Sequence, residues 1–197
     1  MNSIDLDLHK PVRITTERLV LREFEAGDGQ TIAAYLAEPD VSLYLLPGQA
    51  EAEHVMAMVK AAIEHARLPS RTYYGLGITL KSEGGLIGTC VLADAAVGGV
   101  ANIGWDLDKR YWGRGIMTEA AKAAMDFAFE TLQVRGIQTQ CFPANRASIR
   151  VMEKVGMQRQ KLTLWQEWKL RRHYQERRRM VSYSLLHPDW KQSKGWL

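Results

Sequence analysis

Hydrophobic positions along this 197-residue chain follow two periods, one typical of β-strands and the other of α-helices. From Glu51 to Arg67 apolar residues recur every three or four positions, which predicts a helix with one buried face. The members of that face are Ala52, Val55, Met56, Val59, Ile63 and Ala66. A shorter helical stretch over 27–39 precedes it, and we expect this first helix to stop at Pro39.

The order of the remaining elements predicts an α/β domain of mixed topology. Three strand-like runs are separated only by the turn-rich segments 81–85 and 95–99, which favours an antiparallel meander. A helix is expected to begin near Ile116 and another to end at Gly156. The predicted strands are 15–24, 73–80, 86–93, 101–108, 135–142, 161–168 and 178–186.

Composition favours one globular domain over residues 1–197. The chain is 46% hydrophobic, which is enough for a sizeable core. No apolar run approaches the ~20 residues that a membrane span needs, and the polar opening MNSIDLDLHK lacks the apolar segment of a secretory signal. We therefore expect a cytoplasmic protein without a membrane partner. Cys90 and Cys141 lie in apolar stretches without metal-ligand spacing, so we expect buried thiols and no metal.

A loop with two glycines and two arginines, RYWGRG, leads from a predicted strand into a predicted helix. Glycine lets the backbone approach a ligand closely, and the first turn of a helix offers free N–H groups to an anion. With Arg110 and Arg114 adding charge, a phosphate or pyrophosphate is the expected guest. The alternative is that Gly113 and Gly115 only form a tight turn. The GxxxxGK[ST] loop is absent, and a dinucleotide fingerprint needs a third small residue where Thr118 stands.

The pattern Arg-x-x-Gly-x-Gly resembles the pyrophosphate loop of the acetyl-CoA-dependent N-acetyltransferases of the GNAT superfamily. Within it, the chain resembles the RimJ/RimL branch, which includes the ribosomal-protein N-terminal acetyltransferases, from about Ile14 to Trp190. The motifs that recur in order are TTERLVLREF, Trp112–Gly115, Thr118–Ala120, Asn145–Ser148, Gly156 with Met157 replacing the usual aromatic, and MVSYSLLHPDW. This resemblance implies a GNAT fold: a mixed sheet of about seven strands, mostly antiparallel, splayed between strands 4 and 5, with helices on both faces.

The resemblance also implies that acetyl-CoA is the cosubstrate and enters the gap between the splayed strands, around Ile103–Leu107 and Ile137–Phe142. Its pyrophosphate is expected to take N–H groups from about Gly113 to Thr118. The cofactor-binding residues predicted in this way are Leu107, Arg110, Trp112, Gly113, Arg114, Gly115, Ile116, Met117, Thr118, Asn145 and Ser148. The residues alone also allow Asn145 to be a helix N-cap, and the two roles are compatible.

Direct acetyl transfer needs a base for the ammonium proton, an oxyanion donor and a proton source for the thiolate. The expected oxyanion donor is a backbone N–H near Asp106 or Leu107. Glu167 is the first candidate base, because it sits where the RimL-like branch places a catalytic glutamate. Asp106 is the second, because other members of the superfamily use a carboxylate on this strand. The alternative for Glu167 is an exposed carboxylate that pairs with nearby arginines.

The thiolate acid departs from the family pattern. Many members use a tyrosine where this chain has Met152, and methionine cannot donate a proton. Ser148, in the same predicted helix, is therefore the expected donor or relay. Its alternative is a serine that bonds its own helix backbone. Tyr174 and Tyr183 are further candidates, although Tyr183 fits the pattern of a core residue.

The acceptor amine stays open at this stage. Analogy with the branch suggests the N-terminal amine of a protein, including a ribosomal protein; the alternative is a small amine such as an aminoglycoside, a polyamine or an amino-acid derivative. Residues 158–179 carry eight Lys and Arg side chains against two glutamates, which disfavours a polyamine. The same basic run suggests a non-enzymatic alternative, an acetyl-CoA sensor that binds RNA or the ribosome. We expect a monomer or a homodimer.

Overall fold

The computed structural model describes residues 11–161 and 180–194, and its strands form a single sheet. The strands are β1 (Arg13–Thr15), β2 (Leu19–Glu23), β3 (Tyr74–Leu80), β4 (Leu86–Ala93), β5 (Val100–Leu107), β6 (Gly136–Cys141), β7 (Gln158–Arg159) and β8 (Val181–Leu186). The helices are α1 (Asp28–Leu36), α2 (Pro39–Ser42), α3 (Ala52–His65), α4 (Ile116–Glu130), α5 (Arg146–Lys154) and α6 (His187–Ser193). A 3-10 turn spans Lys109–Tyr111.

The sheet has the order β1-β2-β3-β4-β5-β6-β8-β7, and every neighbouring pair is antiparallel except β5 and β6. Those two parallel strands pair only from Val100 opposite Gly136 to Asn102 opposite Gln138. Beyond these pairs β5 continues to Leu107 and β6 to Cys141 without pairing to each other. The predicted mixed, splayed sheet is confirmed.

The splayed strands, predicted as the fourth and fifth, are the fifth and sixth in the structure. The count rises by one because the chain forms two strands, β1 and β2, where one was expected. The Thr16 amide donates to the Leu19 carbonyl at 3.0 Å, and the Leu19 amide donates to Thr16 Oγ1 at 2.9 Å. These bonds close a turn, so β1 folds back on β2. With the short β7, the described part of the chain has eight strands instead of about seven. The strand predicted over 161–168 lies outside the described residues except for Lys161.

Helices cover both faces of the sheet, as predicted. One face packs against α4 and α5 in a core that includes Ala120, Ala124 and Met125. The other face packs against α1 and α3, which bury Ile32, Tyr35, Leu36, Val55, Val59 and Ala62. Side chains alternate along β5, so Ile103 joins the α4 core, whereas Asp106 meets Tyr35 of α1 on the opposite face.

Two local predictions were wrong. Pro39 begins α2, because proline suits the first helical turn, and α1 already ends at Leu36. Ala52 and Met56 do not belong to the buried face of α3, since both are exposed, Met56 over 42% of its surface. The buried positions of α3 are Val55, Val59 and Ala62, spaced by four and three residues.

Both cysteines are free and buried, as expected. Burial raises the pKa of Cys90 to about 12 and that of Cys141 to about 11. Within residues 11–161 and 180–194, no helix has the length and apolar composition needed to cross a membrane.

Candidate active site

The splay between β5 and β6 opens a cleft of about 360 Å³. The end of β5 and the loop into α4 line one side, α5 lines another, and the segment after α2 closes one end. Most of the predicted cofactor-binding residues line this cleft: Leu107, Trp112, Gly113, Gly115, Ile116, Met117, Thr118, Asn145 and Ser148. Asp106, predicted as a candidate base, lines it as well.

The glycine loop presents bare backbone at the start of α4. Gly113 and Gly115 have φ of 74° and 75°, the left-handed region that disfavours other residues. Gly115 is the N-cap of α4 and has no side chain with which to cap it. The amides of the first turn, Ile116 to Thr118, therefore keep the donor capacity and positive dipole end that bind anions.

The back of this loop is held by residues that the sequence analysis did not select. Glu119 accepts hydrogen bonds at Oε1 from Thr16 Oγ1 (2.6 Å) and the Arg18 amide (2.9 Å), and at Oε2 from Arg18 Nε (2.7 Å). Arg18 Nη1 also donates to the Arg114 carbonyl at 3.0 Å. Burial alone would raise the pKa of Glu119, but these hydrogen bonds outweigh it and hold the pKa below its usual value. The ordered recurrence of TTERL and Thr-Glu-Ala was a signal that could have revealed this contact.

The two loop arginines do not point into the cleft. The guanidinium of Arg110 bonds the buried Asp108 carboxylate, with Nε 3.0 Å from Oδ2, and this contact lowers the pKa of Asp108. Arg114 lies over the Tyr111 ring, with Cζ 5.5 Å from the ring centroid. Their assignment to the cofactor stays a prediction.

Two lysines place positive charge beside the loop. A shallow groove next to the cleft is lined by Gly115 and Thr118 together with Lys122 of α4 and Lys154 of α5. Glu17 and Glu119 lie on the same groove. Lys154 also lines the main cleft, so the two surfaces are continuous at α5. Sequence analysis missed both lysines because nothing local distinguishes them from solvated helix residues.

The backbone of Leu107 faces the open gap. The Asp108 amide donates to Ile87 of β4 at 2.9 Å, whereas the Leu107 carbonyl accepts from Trp112 Nε1 at 2.8 Å, away from β4. Because the N–H and C=O of one strand residue point to the same edge, the Leu107 amide also points away from β4. This geometry favours Leu107 over Asp106 as the backbone donor at the end of the splay.

Asp106 is held by two hydroxyl groups. Thr89 Oγ1 donates to Oδ2 at 2.6 Å, and the Tyr35 hydroxyl donates to Oδ1. Burial raises the pKa of Asp106, and the hydrogen bonds from Thr89 and Tyr35 offset only part of that rise. A raised pKa makes this carboxylate a better proton acceptor than an exposed aspartate, and such perturbed groups beside a cleft are common at functional sites. Sequence analysis selected Asp106 but not its two partners.

The start of α5 carries two of the predicted site residues, Asn145 and Ser148. Asn145 is the N-cap, since its Oδ1 accepts from the Ser148 amide at 3.0 Å, and both residues line the cleft. The Ser148 side chain hydrogen-bonds the Cys141 thiol.

The other residues considered for the proton source do not line the cleft in the described structure. Met152 is 1% exposed and belongs to the core, as Tyr183 does. Glu167 and Tyr174 lie outside the described residues.

Nothing in the part of the chain that the structure describes resembles a metal centre. No three His, Cys, Asp or Glu side chains of residues 11–161 and 180–194 lie close enough together to hold an ion.

Comparison with known proteins identifies the family to which this cleft belongs. The acetyltransferase (GNAT) domain family matches residues 18–158. The chain belongs to the GNAT acetyltransferase family. It is therefore an acyltransferase enzyme, from a family that uses acetyl-CoA, as the sequence resemblance implied.

Individual relatives agree with this assignment. The chain is 32% identical over 151 residues to the uncharacterized N-acetyltransferase YnaD of Bacillus subtilis, covering 76% of this chain and 84% of that protein. It is 25% identical over 156 residues to the [ribosomal protein uS5]-alanine N-acetyltransferase of Escherichia coli, covering 76% and 79%.

Solved structures share the fold. An acetyltransferase (GNAT family) from Bacillus anthracis matches with a TM-score of 0.74 and 26% identity, over 90% of this chain and 99% of that one. Mycobacterium smegmatis RimJ in complex with CoA-disulfide matches with a TM-score of 0.70 over 94% of this chain and 93% of that one. At 18% identity the RimJ match concerns the fold alone.

Proposed function

We propose that this GNAT enzyme transfers the acetyl group of acetyl-CoA to the N-terminal amine of a protein, and that a ribosomal protein is the first candidate for that acceptor. The observation that carries the acetyl-CoA part is the bare loop of Gly113 and Gly115 at the mouth of the β5–β6 splay. The similarity to a ribosomal-protein alanine N-acetyltransferase supports the choice of acceptor.

The residues around the cleft fit acetyl-CoA. The space above both glycines is open. No atom lies within 4 Å of a Cβ built at Gly113, and at Gly115 the one atom within that distance is Arg18 Nη2, 3.6 Å away. A side chain at either position would fill this space. The amides of Ile116 to Thr118 would hold the pyrophosphate. Bound acetyl-CoA supplies an activated thioester whose acetyl group is the group transferred.

The side chains and backbone of the cleft supply the other parts of the reaction. The Leu107 amide would stabilise negative charge on the carbonyl oxygen. As the amine nitrogen bonds to the carbonyl carbon and the C–S bond breaks, Asp106 or Glu167 would take the ammonium proton. Ser148 would relay a proton to the thiolate, taking one from solvent as it gives up its own.

The acceptor end of the cleft favours a peptide over a polyamine. Val41, Tyr44 and Leu45 line it with apolar and aromatic surface. Asp106 is the one acidic residue among the described residues that line the cleft, whereas Arg150 and Lys154 also line it. A polycation would meet little compensating charge here, whereas the first residues of a peptide would bring one amine and adjacent apolar groups.

Isotope-labelled acetyl transfer from acetyl-CoA into a cell extract tests this proposal. The extract is separated into protein and small-molecule fractions, and mass spectrometry locates the label. We expect label on the N-terminus of a protein. Label confined to a small amine would overturn the acceptor assignment but keep the acetyl-CoA site; no transfer together with no acetyl-CoA binding would overturn both.

A further inference from the structure

Two buried hydroxyl groups hold the Asp106 carboxylate without touching the cleft themselves. Tyr35 comes from α1 and Thr89 from β4, and they are 3% and 2% exposed. They do not line the cleft, whereas Asp106 does. Asp106 is the cleft-lining residue to which both hydroxyls donate.

We propose that Tyr35 and Thr89 are positioning residues that keep Asp106 oriented and ionised, and that Asp106 is the base which takes the proton of the acceptor amine. This inference rests on the proposed acetyltransferase function. Each carboxylate oxygen has two lone pairs, so Asp106 can accept one hydrogen bond at each oxygen and still accept a proton from an amine. The two donors also prevent the carboxylate from rotating between orientations.

The surroundings of Asp106 explain why hydroxyl donors are needed. The titratable groups that face it are Tyr35 from α1, Tyr73 before β3 and Cys90 of β4, and Asp108 lies close enough to influence Tyr35. Among residues 11–161 and 180–194, no lysine or arginine forms an ion pair with Asp106. Hydrogen bonds from Tyr35 and Thr89 are therefore what stabilises the charged form against burial.

The sign of the effect follows from this balance. A hydrogen bond donated to a carboxylate lowers its pKa. Removing the Tyr35 hydroxyl should therefore raise the pKa of Asp106 and lower the fraction of the carboxylate that is ionised at low pH. If Asp106 is the base, the acid limb of kcat/KM against pH moves upward by the same amount.

The test compares Tyr35→Phe and Thr89→Val with Tyr73→Phe as the matched control. Tyr73 lies near Asp106 but does not donate to it in the described structure. The Asp106 titration is followed by carbon-13 NMR of aspartate-labelled enzyme, with Asp106→Asn identifying its signal. Rate profiles use acetyl-CoA and a mixture of synthetic peptides with free N-termini that covers all twenty first residues.

We expect Tyr35→Phe and Thr89→Val to raise the pKa of Asp106 measured by NMR and to shift the acid limb of kcat/KM to higher pH. Tyr73→Phe should change neither quantity, and Thr89→Ser should behave like the parent enzyme. An unmoved Asp106 titration in Tyr35→Phe would overturn the positioning role. A shifted titration with an unmoved acid limb would overturn Asp106 as the base. Should Tyr35→Phe not fold, Thr89→Val decides. A parent enzyme that acetylates no peptide refutes the proposed function instead, because the NMR result stands independently.

Discussion

A glutamate at Gly115 should abolish tight acetyl-CoA binding, and Gly84 provides the control. Both glycines lie in the left-handed region, with φ of 75° and 72°. Gly84 lies in the turn between β3 and β4 and, like Gly115, has no atom close enough to clash with a Cβ. Gly115→Glu and Gly84→Glu should therefore each lose about 1–2 kcal/mol of unfolding free energy from backbone strain.

The two variants differ in what the new carboxylate meets. At Gly115 it would stand at the N-terminus of α4, where we place the pyrophosphate. Like charges about 5 Å apart at an effective dielectric constant of about 20 repel by roughly 3 kcal/mol. That energy weakens binding by about a hundredfold, before the loss of space above the loop is counted. At Gly84 no such penalty applies.

Calorimetric titration with acetyl-CoA measures the affinity, and urea denaturation measures the stability of the same preparations. We expect Gly84→Glu to bind like the parent chain and Gly115→Glu to lose at least two orders of magnitude in Kd. Parent-like affinity in both variants would refute the assignment of this loop to the pyrophosphate. Equal losses would show that backbone strain, and not charge in the anion site, explains the effect.

Three further predictions concern stability and turnover. Arg71 has a fully buried guanidinium paired with Glu23, so Arg71→Ala should cost about 3–5 kcal/mol in urea denaturation; a loss below about 1 kcal/mol would contradict this reasoning. Because Arg110 depresses the pKa of Asp108 in the folded state, the stability from Asp108 is present above its unfolded pKa of about 3.9 and is lost as pH falls through the folded value. Asp108→Asn should thus weaken the fall of Tm with acid, and an unchanged slope would count against it. Glu167→Gln tests the other candidate base: if Glu167 serves, turnover falls over the pH range in which its carboxylate is ionised and the acid limb that it sets is lost, while acetyl-CoA affinity is kept. An unaltered rate across pH removes Glu167 from that role.

Local patterns predicted most of the architecture. The meander of β3 to β5 and the start of α4 at Ile116 agree with the strand and helix periods in the sequence. Backbone periodicity is a local property, because each residue's position on a face depends on neighbours a few places away. The same holds for the glycine loop. The local order of residues is enough to favour positive φ at Gly113 and Gly115 and to start a helix directly after them.

Side-chain pairing over long separations was not predictable in this way. Glu119 lies 101 residues from Arg18 in sequence and still accepts two of its hydrogen bonds. A charged side chain takes the partner that folding brings nearest, so the choice among several partners depends on the packing of distant elements.

The order of motifs in the sequence by itself indicated the fold family, and the resemblance to that family implied the splayed sheet. Period and turn residues determined the strands, the helices and the glycine loop, because these features are encoded locally. Only the tertiary structure decided which groups surround the reacting position. It joined Tyr35 of α1, Thr89 of β4 and Asp106 of β5 into one buried cluster. Burial and hydrogen bonding set the protonation of a carboxylate, and both come from residues that are neighbours in space and not along the chain.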